Sequence, residues 1–277
     1  MTHLNERYAR VGREYDALDY ENVRLDTGAV IEYAITARYL QRYVPDGATV
    51  VDVGVGVGHY SDLLARRGCR VHLADVSQRL LDAAGARLAG VGLADRILSA
   101  ERASATDLSH LPDACCDAVL LLGPLYHLLT VGERRSTVAE AVRLLRPGGL
   151  VFAAGVNTLT YLRDVIRSDP DDFCRRPAYF LDRLPRDGNL ESPDGQLATM
   201  HTATVAAFRA ELSPPFTELV LAGVESFASK HEPEYHRASP AAKEVLLDLI
   251  ERTGTTPEGL GATSHYLFIG RRMEEER

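Results

Sequence analysis

The sequence predicts a doubly wound α/β fold: a mainly parallel sheet flanked by helices, with a segment inserted late in the chain. Three observations carry this. Thr49 to Val53 is a β-branched run suited to a strand buried on both faces, and it leads into alternating glycines at 54, 56 and 58. Strand-like and helix-like segments then alternate from about residue 46 to 155, the rhythm of βαβ units. Residues 156–203 break that rhythm with Pro170, Pro177, Pro185 and Pro193 among aromatic residues.

Size and composition narrow the function classes. The chain has 277 residues, 45% of them hydrophobic, enough for one sizeable core or one core plus a small cap. Lys and Arg number 31 against 39 Asp and Glu, a net charge of −8 with no long basic run, which disfavours duplex nucleic acid as the main partner. Cys69, Cys115, Cys116 and Cys174 lack Cys-x-x-Cys spacing, so neither a metal nor a disulfide framework is expected and reduced core thiols are. The charged start Met1-Thr2-His3-Leu4-Asn5-Glu6-Arg7 has no apolar leader core, and no stretch reaches 18 apolar residues; the expectation is a soluble, cytoplasmic protein without membrane contact.

Residues 1–26 are polar, carry Tyr8, Tyr15 and Tyr20, and read as short helices or an arm. Gly28 to Tyr43 has near-helical apolar spacing and ends before Pro45-Asp46-Gly47. After the glycines, His59 to Arg67 reads as a helix stopped by Gly68, followed by a strand from Cys69 to Asp75 and a helix from Gln78 to Leu88. A third strand, Arg96 to Ala100, precedes the polar stretch Ala103-Ser104-Ala105-Thr106-Asp107-Leu108. A fourth, Ala118 to Leu122, runs into Gly123-Pro124-Leu125-Tyr126-His127-Leu128-Leu129. Gly132 to Leu145 is helical, and Arg146-Pro147-Gly148-Gly149 turns the chain into a fifth strand. Beyond the insertion come a helix from Val205 to Leu212, strands Phe216 to Val224 and Ser264 to Arg271, and between them the helix Ala241 to Arg252. Val245, Leu246, Leu249 and Ile250 form its apolar side. The tail from Arg272 to Arg277 is expected to fray.

The glycine turn brings backbone against a ligand, and its spacing says which kinds do not fit. A dinucleotide fingerprint needs a third glycine where His59 stands. A phosphate-cradling loop needs a following lysine, which is absent. An acid, Asp52, at the strand end and Gly-x-Gly-x-Gly without a basic residue suit a nucleoside carrying a zwitterionic amino acid.

Asp52-Val53-Gly54-Val55-Gly56-Val57-Gly58 resembles the first motif of the class I S-adenosylmethionine (SAM) dependent methyltransferases, in particular the bacterial small-molecule type. Leu144-Leu145-Arg146-Pro147-Gly148-Gly149 resembles that family's Leu-x-Pro-Gly-Gly signature, and Leu125-Tyr126-His127-Leu128 a run common in its small-molecule members. The resemblance implies a Rossmann-like sheet of seven strands, the last antiparallel, with N-terminal helices and an inserted substrate cap. It also implies SAM as cofactor and a small-molecule methyl acceptor, methylated on O, N or C, in keeping with secondary metabolism. The units would be an N-terminal arm or lid (1–45), a SAM-binding core (46–155), the cap (156–203) and the rest of the core (204–277). Monomer and homodimer both stay open.

The residues fall into roles accordingly. Asp52, Gly54, Gly56 and Gly58 would face the cofactor. Asp75 ends the second strand, where an acid accepts from both ribose hydroxyls; with Val76 it takes the ribose, while capping the next helix is its alternative use. Asp107 would accept from the adenine amine with Leu108 over the ring, a solvated loop acid being the alternative. Leu122 and Tyr126 would wall the cofactor. His127, able to titrate near neutrality, is a candidate general base or a structural histidine. His201, at the return from the cap, is a second acid–base candidate or an incidental loop histidine. Tyr15, Tyr20, Glu32 and Tyr33 are possible lid contacts or ordinary packing residues. The open alternative for the whole chain is a SAM-binding protein of this fold that catalyses another reaction or acts as a binding subunit.

Overall fold

The computed structural model describes residues 29–191 and 197–274, with side chains of 197–199 not described. The arm with Tyr15 and Tyr20 lies outside the described residues. In chain order the first elements are α1 (Val30–Tyr43), β1 (Thr49–Val53), α2 (His59–Ala65), β2 (Arg70–Asp75), α3 (Gln78–Gly90), β3 (Ile97–Arg102), β4 (Cys116–Leu121), α4 (Val131–Leu144) and β5 (Leu145–Val156). The insertion supplies α5 (Thr158–Ser168), α6 (Asp172–Arg175), α7 (Leu184–Asp187), β6 (Asn189–Glu191) and β7 (Leu197–His201). Then follow α8 (Val205–Leu212), β8 (Phe216–Gly223), α9 (Glu232–Arg237), α10 (Pro240–Gly254), α11 (Pro257–Ala262) and β9 (His265–Arg272).

Seven strands form one sheet in the order β3-β2-β1-β4-β5-β9-β8. β1 to β5 pair in parallel, and β9 runs antiparallel to both β5 and β8, so six strands share one direction. This is the doubly wound sheet expected. β1 is buried along its whole length because helices cover both faces of the sheet, which is why it reads as an unbroken apolar run. One apolar layer joins Ile31, Ile35 and Leu40 of α1 to Val50, Leu120 and Phe152. The other joins Val51, Val119 and Val151 to Phe208, Phe216 and Phe268.

Local chemistry explains most boundaries. α4 begins at Val131 because Thr130 and Glu133 form a capping box, Glu133 N–H donating to Thr130 Oγ1 (3.2 Å) and Thr130 N–H to Glu133 Oε2 (3.0 Å). The Pro147-Gly148-Gly149 turn is a bulge inside β5: Cys116 pairs with Leu145 and Ala118 with Leu150, so the residues between loop out. Pro185 stands in the first turn of α7, where a missing N–H costs no hydrogen bond.

Three expectations fail. In α10 the inward residues are Leu247 and Ile250, whereas Val245 and Leu249 are exposed. Arg38 of α1 pairs with Glu244, Asp248 and Glu251, and these contacts fix the helix's rotation about its axis. Cys174 is exposed and Cys115 half-buried, so only Cys69 and Cys116 are core thiols; all four are free. Arg272 belongs to β9, not to the tail. No helix among the described residues is long and apolar enough to cross a membrane.

Residues 157–203 leave the sheet at Asn157 and return at Ala203, which bridge one another. This insertion has a small core of its own, Val165, Tyr179, Phe180 and Leu184. β7 packs against the turn Pro124–His127 that follows β4. The insertion therefore borders the carboxyl edge of the sheet, where a doubly wound fold places ligands.

Candidate active site

A cavity opens at that edge. β1 with its following turn supplies Asp52 to Val57, α2 supplies His59 and Tyr60, and β2 with its following turn supplies Asp75 and Val76. Ala103 to Ala105 lie beyond β3, and Leu122 to Pro124 with Tyr126 to Leu128 beyond β4. The turn has this shape because it contains Gly54, Gly56 and Gly58, all with positive φ. A Cβ on Gly54 would stand 2.9 Å from Pro124 Cγ, so only glycine lets the turn after β4 approach this closely.

Two buried carboxylates anchor the cavity. Asp75 Oδ2 accepts from Gly56 N–H (3.1 Å) and Oδ1 from Ser77 N–H (2.9 Å), tying the glycine turn to the end of β2. Asp75 steadies the start of α3 through Ser77, whose Oγ caps Leu80 N–H (3.1 Å), and it also lines the cavity. Asp52 Oδ2 accepts from Ser61 Oγ (2.7 Å). Burial pushes the Asp52 carboxyl up to about 6; the Ser61 hydroxyl opposes the shift and the Asp75 charge adds to it. Beyond β4, Tyr126 packs on Ala154 and Val156 and its hydroxyl donates to Leu122 O (3.3 Å). The His127 ring meets Tyr126 edge-on at 4.9 Å.

The structure thus brings together Asp52, Gly54, Gly56, Asp75, Val76, Leu122, Tyr126 and His127. Gly58 stands behind the lining, where its missing side chain lets α2 meet Ala84 of α3; a Cβ there would come within 3.0 Å. Asp107 and Leu108 do not reach the cavity. Leu108 N–H donates to Glu140 Oε2 (2.7 Å) and Arg143 donates to Leu108 O (2.9 Å), which pins the loop to α4 and turns Leu108 into the core. Asp107 is left exposed, and hydrogen bonds from the Ser109 hydroxyl first and its N–H second hold the carboxyl below the usual range. Ala103, Ser104 and Ala105 line the cavity in their place.

His201 does not join this site either. It is a buried residue of β7 and borders a separate cavity between α4, α7 and α8. Its Nδ1 lies 3.0 Å from Asn189 Oδ1, and burial, with the Arg134 charge, pushes its pKa down to about 4, so the ring is neutral near pH 7. Glu32, on α1, faces His265 Nδ1 at 3.6 Å, while Tyr33 stacks on the cavity residue Tyr60 at 5.4 Å. Sequence reasoning missed the partner of that imidazole. Glu225 Oε1 lies 2.5 Å from His265 Nδ1, and Oε2 accepts from Thr263 Oγ1, Ser264 N–H and His265 N–H. Glu225 and His265 sit 40 residues apart, with no spacing signal to join them.

The donor set selects a class of ligand. Among the described residues no lysine or arginine lines the cavity, so pyrophosphate has no counter-charge, while the two carboxylates suit ribose hydroxyls and a cationic amino-acid group. Residues 51–153 match the protein family described as the methyltransferase domain. They are a class I, SAM-dependent methyltransferase domain. The domain's glycine turn, β2 acid and the loop after β4 all fall inside the matched stretch. Methyltransferase GfsG of Streptomyces halstedii is 34% identical over 134 residues, 47% of this chain and 46% of the relative. The ubiquinone biosynthesis O-methyltransferase of Agrobacterium fabrum is 31% identical over 153 residues, 53% of this chain and 58% of that protein. The chain spans about half the length of the curated relatives it matches. A SAM-dependent methyltransferase from Methanosarcina mazei shares the fold with TM-score 0.59 at 17% identity, covering 86% of this chain and 98% of that one.

Proposed function

We propose that the chain transfers a methyl group from SAM to an oxygen, nitrogen or carbon atom of a small molecule, as part of secondary metabolism. The observation that carries this is the cavity itself: a glycine turn and two buried carboxylates with no lysine or arginine among the described lining residues, at the carboxyl edge of the sheet. The family match and the two relatives, both named as methyltransferases, support it. Asp75 would hold the ribose, Asp52 the ammonium, and Leu122 with Tyr126 would cover the sulfur end. SAM, when bound, supplies an electrophilic methyl, so the protein's task is orientation and exclusion of water. His127, steadied against Tyr126, takes the acceptor's proton as the new bond forms. The insertion, residues 156–203, caps the acceptor, and residues 1–45 act as the lid.

Radiolabelled SAM incubated with a panel of phenols, amines and enolisable ketones tests this. Transfer of label with release of S-adenosylhomocysteine is the expected result. Binding of S-adenosylhomocysteine without transfer to any of them would favour the reading in which the domain serves another reaction, and absence of binding would remove the cofactor assignment. With an acceptor in hand, His127→Gln should lower turnover about a hundredfold and leave S-adenosylhomocysteine affinity within about twofold. An unchanged rate would make His127 a structural residue.

A further inference from the structure

The cofactor proposed above is a zwitterion, and the carboxylates account for its cationic half only. Its own α-carboxylate needs hydrogen-bond donors, and Asp52 and Asp75 repel it. Among the described residues the lining offers two imidazoles, His59 and His127, and no lysine or arginine. His127 stands beyond β4 against Tyr126, on the side given to the acceptor. His59 stands directly after the glycine turn, 8% exposed, in the place where a dinucleotide fingerprint carries glycine.

The setting of His59 determines which nitrogen donates. Arg87 Nη2 lies 3.4 Å from His59 Nε2, and Arg87 Nε donates to Val57 O (2.8 Å), so the guanidinium is braced between the turn and the imidazole. A guanidinium has donors only, so the nitrogen facing it presents a lone pair and the ring proton sits on Nδ1. Tyr33 meets the ring edge-on at 5.9 Å. We propose that His59, with Arg87 behind it, receives the α-carboxylate of the cofactor, and that this pair selects an amino-acid-bearing nucleoside over a bare one. This rests on the SAM reading of the cavity.

Calorimetric titration with S-adenosylhomocysteine and with 5′-methylthioadenosine separates the two ideas. The second ligand keeps adenosine and thioether but lacks the amino-acid group. His59→Ala should raise the Kd for S-adenosylhomocysteine about tenfold, the worth of one charge-assisted hydrogen bond, and leave methylthioadenosine within about twofold. His59→Asn, which keeps an N–H donor, should recover part of the loss. Arg87→Met should cost about threefold for S-adenosylhomocysteine alone. Equal losses for both ligands, or none, would overturn the inference while sparing the methyltransferase reading. Failure of the unmodified protein to bind either ligand would instead strike that reading.

Discussion

Replacing Asp75 by alanine tests the centre of the site, and the structure changes what that experiment measures. The carboxylate is 6% exposed and accepts from two backbone donors, Gly56 N–H at 3.1 Å and Ser77 N–H at 2.9 Å. Removing it therefore orphans both donors before any ligand is added. A hydrogen bond to a charged group is worth about 1.5–3 kcal/mol, and partial entry of water keeps each loss near the lower end, giving about 3 kcal/mol in all. At roughly 2 °C per kcal/mol for a chain of 277 residues, the ligand-free melting temperature should fall by about 6 °C. Titration of S-adenosylhomocysteine below that transition should show a further weakening of about tenfold or more from the lost ribose contacts. Asp75→Asn, which keeps one acceptor oxygen, should recover stability better than affinity. A ligand-free melting temperature equal to that of the unmodified protein would refute the argument that this carboxylate holds the glycine turn. A lower melting temperature with unaltered affinity would confine Asp75 to scaffolding.

Asp52 makes stability depend on pH. Its carboxyl titrates near 6 when folded against about 3.8 when unfolded, so the folded state binds the extra proton between those values and its contribution weakens as pH rises through them. The total is about 3 kcal/mol or less, and Asp52→Asn should flatten the pH 4–6 segment of a melting-temperature profile; parallel profiles for the two proteins would contradict the shift. If Asp52 receives the cofactor's ammonium, S-adenosylhomocysteine affinity should fall as pH drops below about 6, read by titration at pH 5 and 7.5. Gly54→Ala would place a methyl group 2.9 Å from Pro124 Cγ at a φ of +70°, combining a clash with left-handed strain of about 1–2 kcal/mol. It should displace the turn after β4 and weaken S-adenosylhomocysteine at least about tenfold, and wild-type affinity would show that this close approach is not needed.

The legible part of the molecule was the part written in short stretches of chain. Thr49 to Val53 must be a strand buried on both faces, and Gly54, Gly56 and Gly58 must follow it because no other residue takes three positive φ angles so cheaply. Asp52 and Asp75 sit at ends of strands, and a strand end in a parallel sheet is a fixed place relative to the ligand edge. Those facts need only neighbours in sequence, and they put the cavity where the structure has it.

Tertiary contacts decided the rest. Asp107 had the right spacing, but Glu140 and Arg143, more than 30 residues away, hold the adjoining backbone and turn that carboxylate to solvent. His201 had the right residue type, but the β6–β7 hairpin carries it to a different cavity, where burial keeps it neutral. The outward face of α10 follows from ion pairs with Arg38 of α1, and the Glu225–His265 contact from two elements that meet only when β8 and β9 pair. Backbone conformation is set by each residue's own sterics, and so is visible from sequence; the direction of a loop side chain is set by distant partners, and exists only once the chain has folded around them.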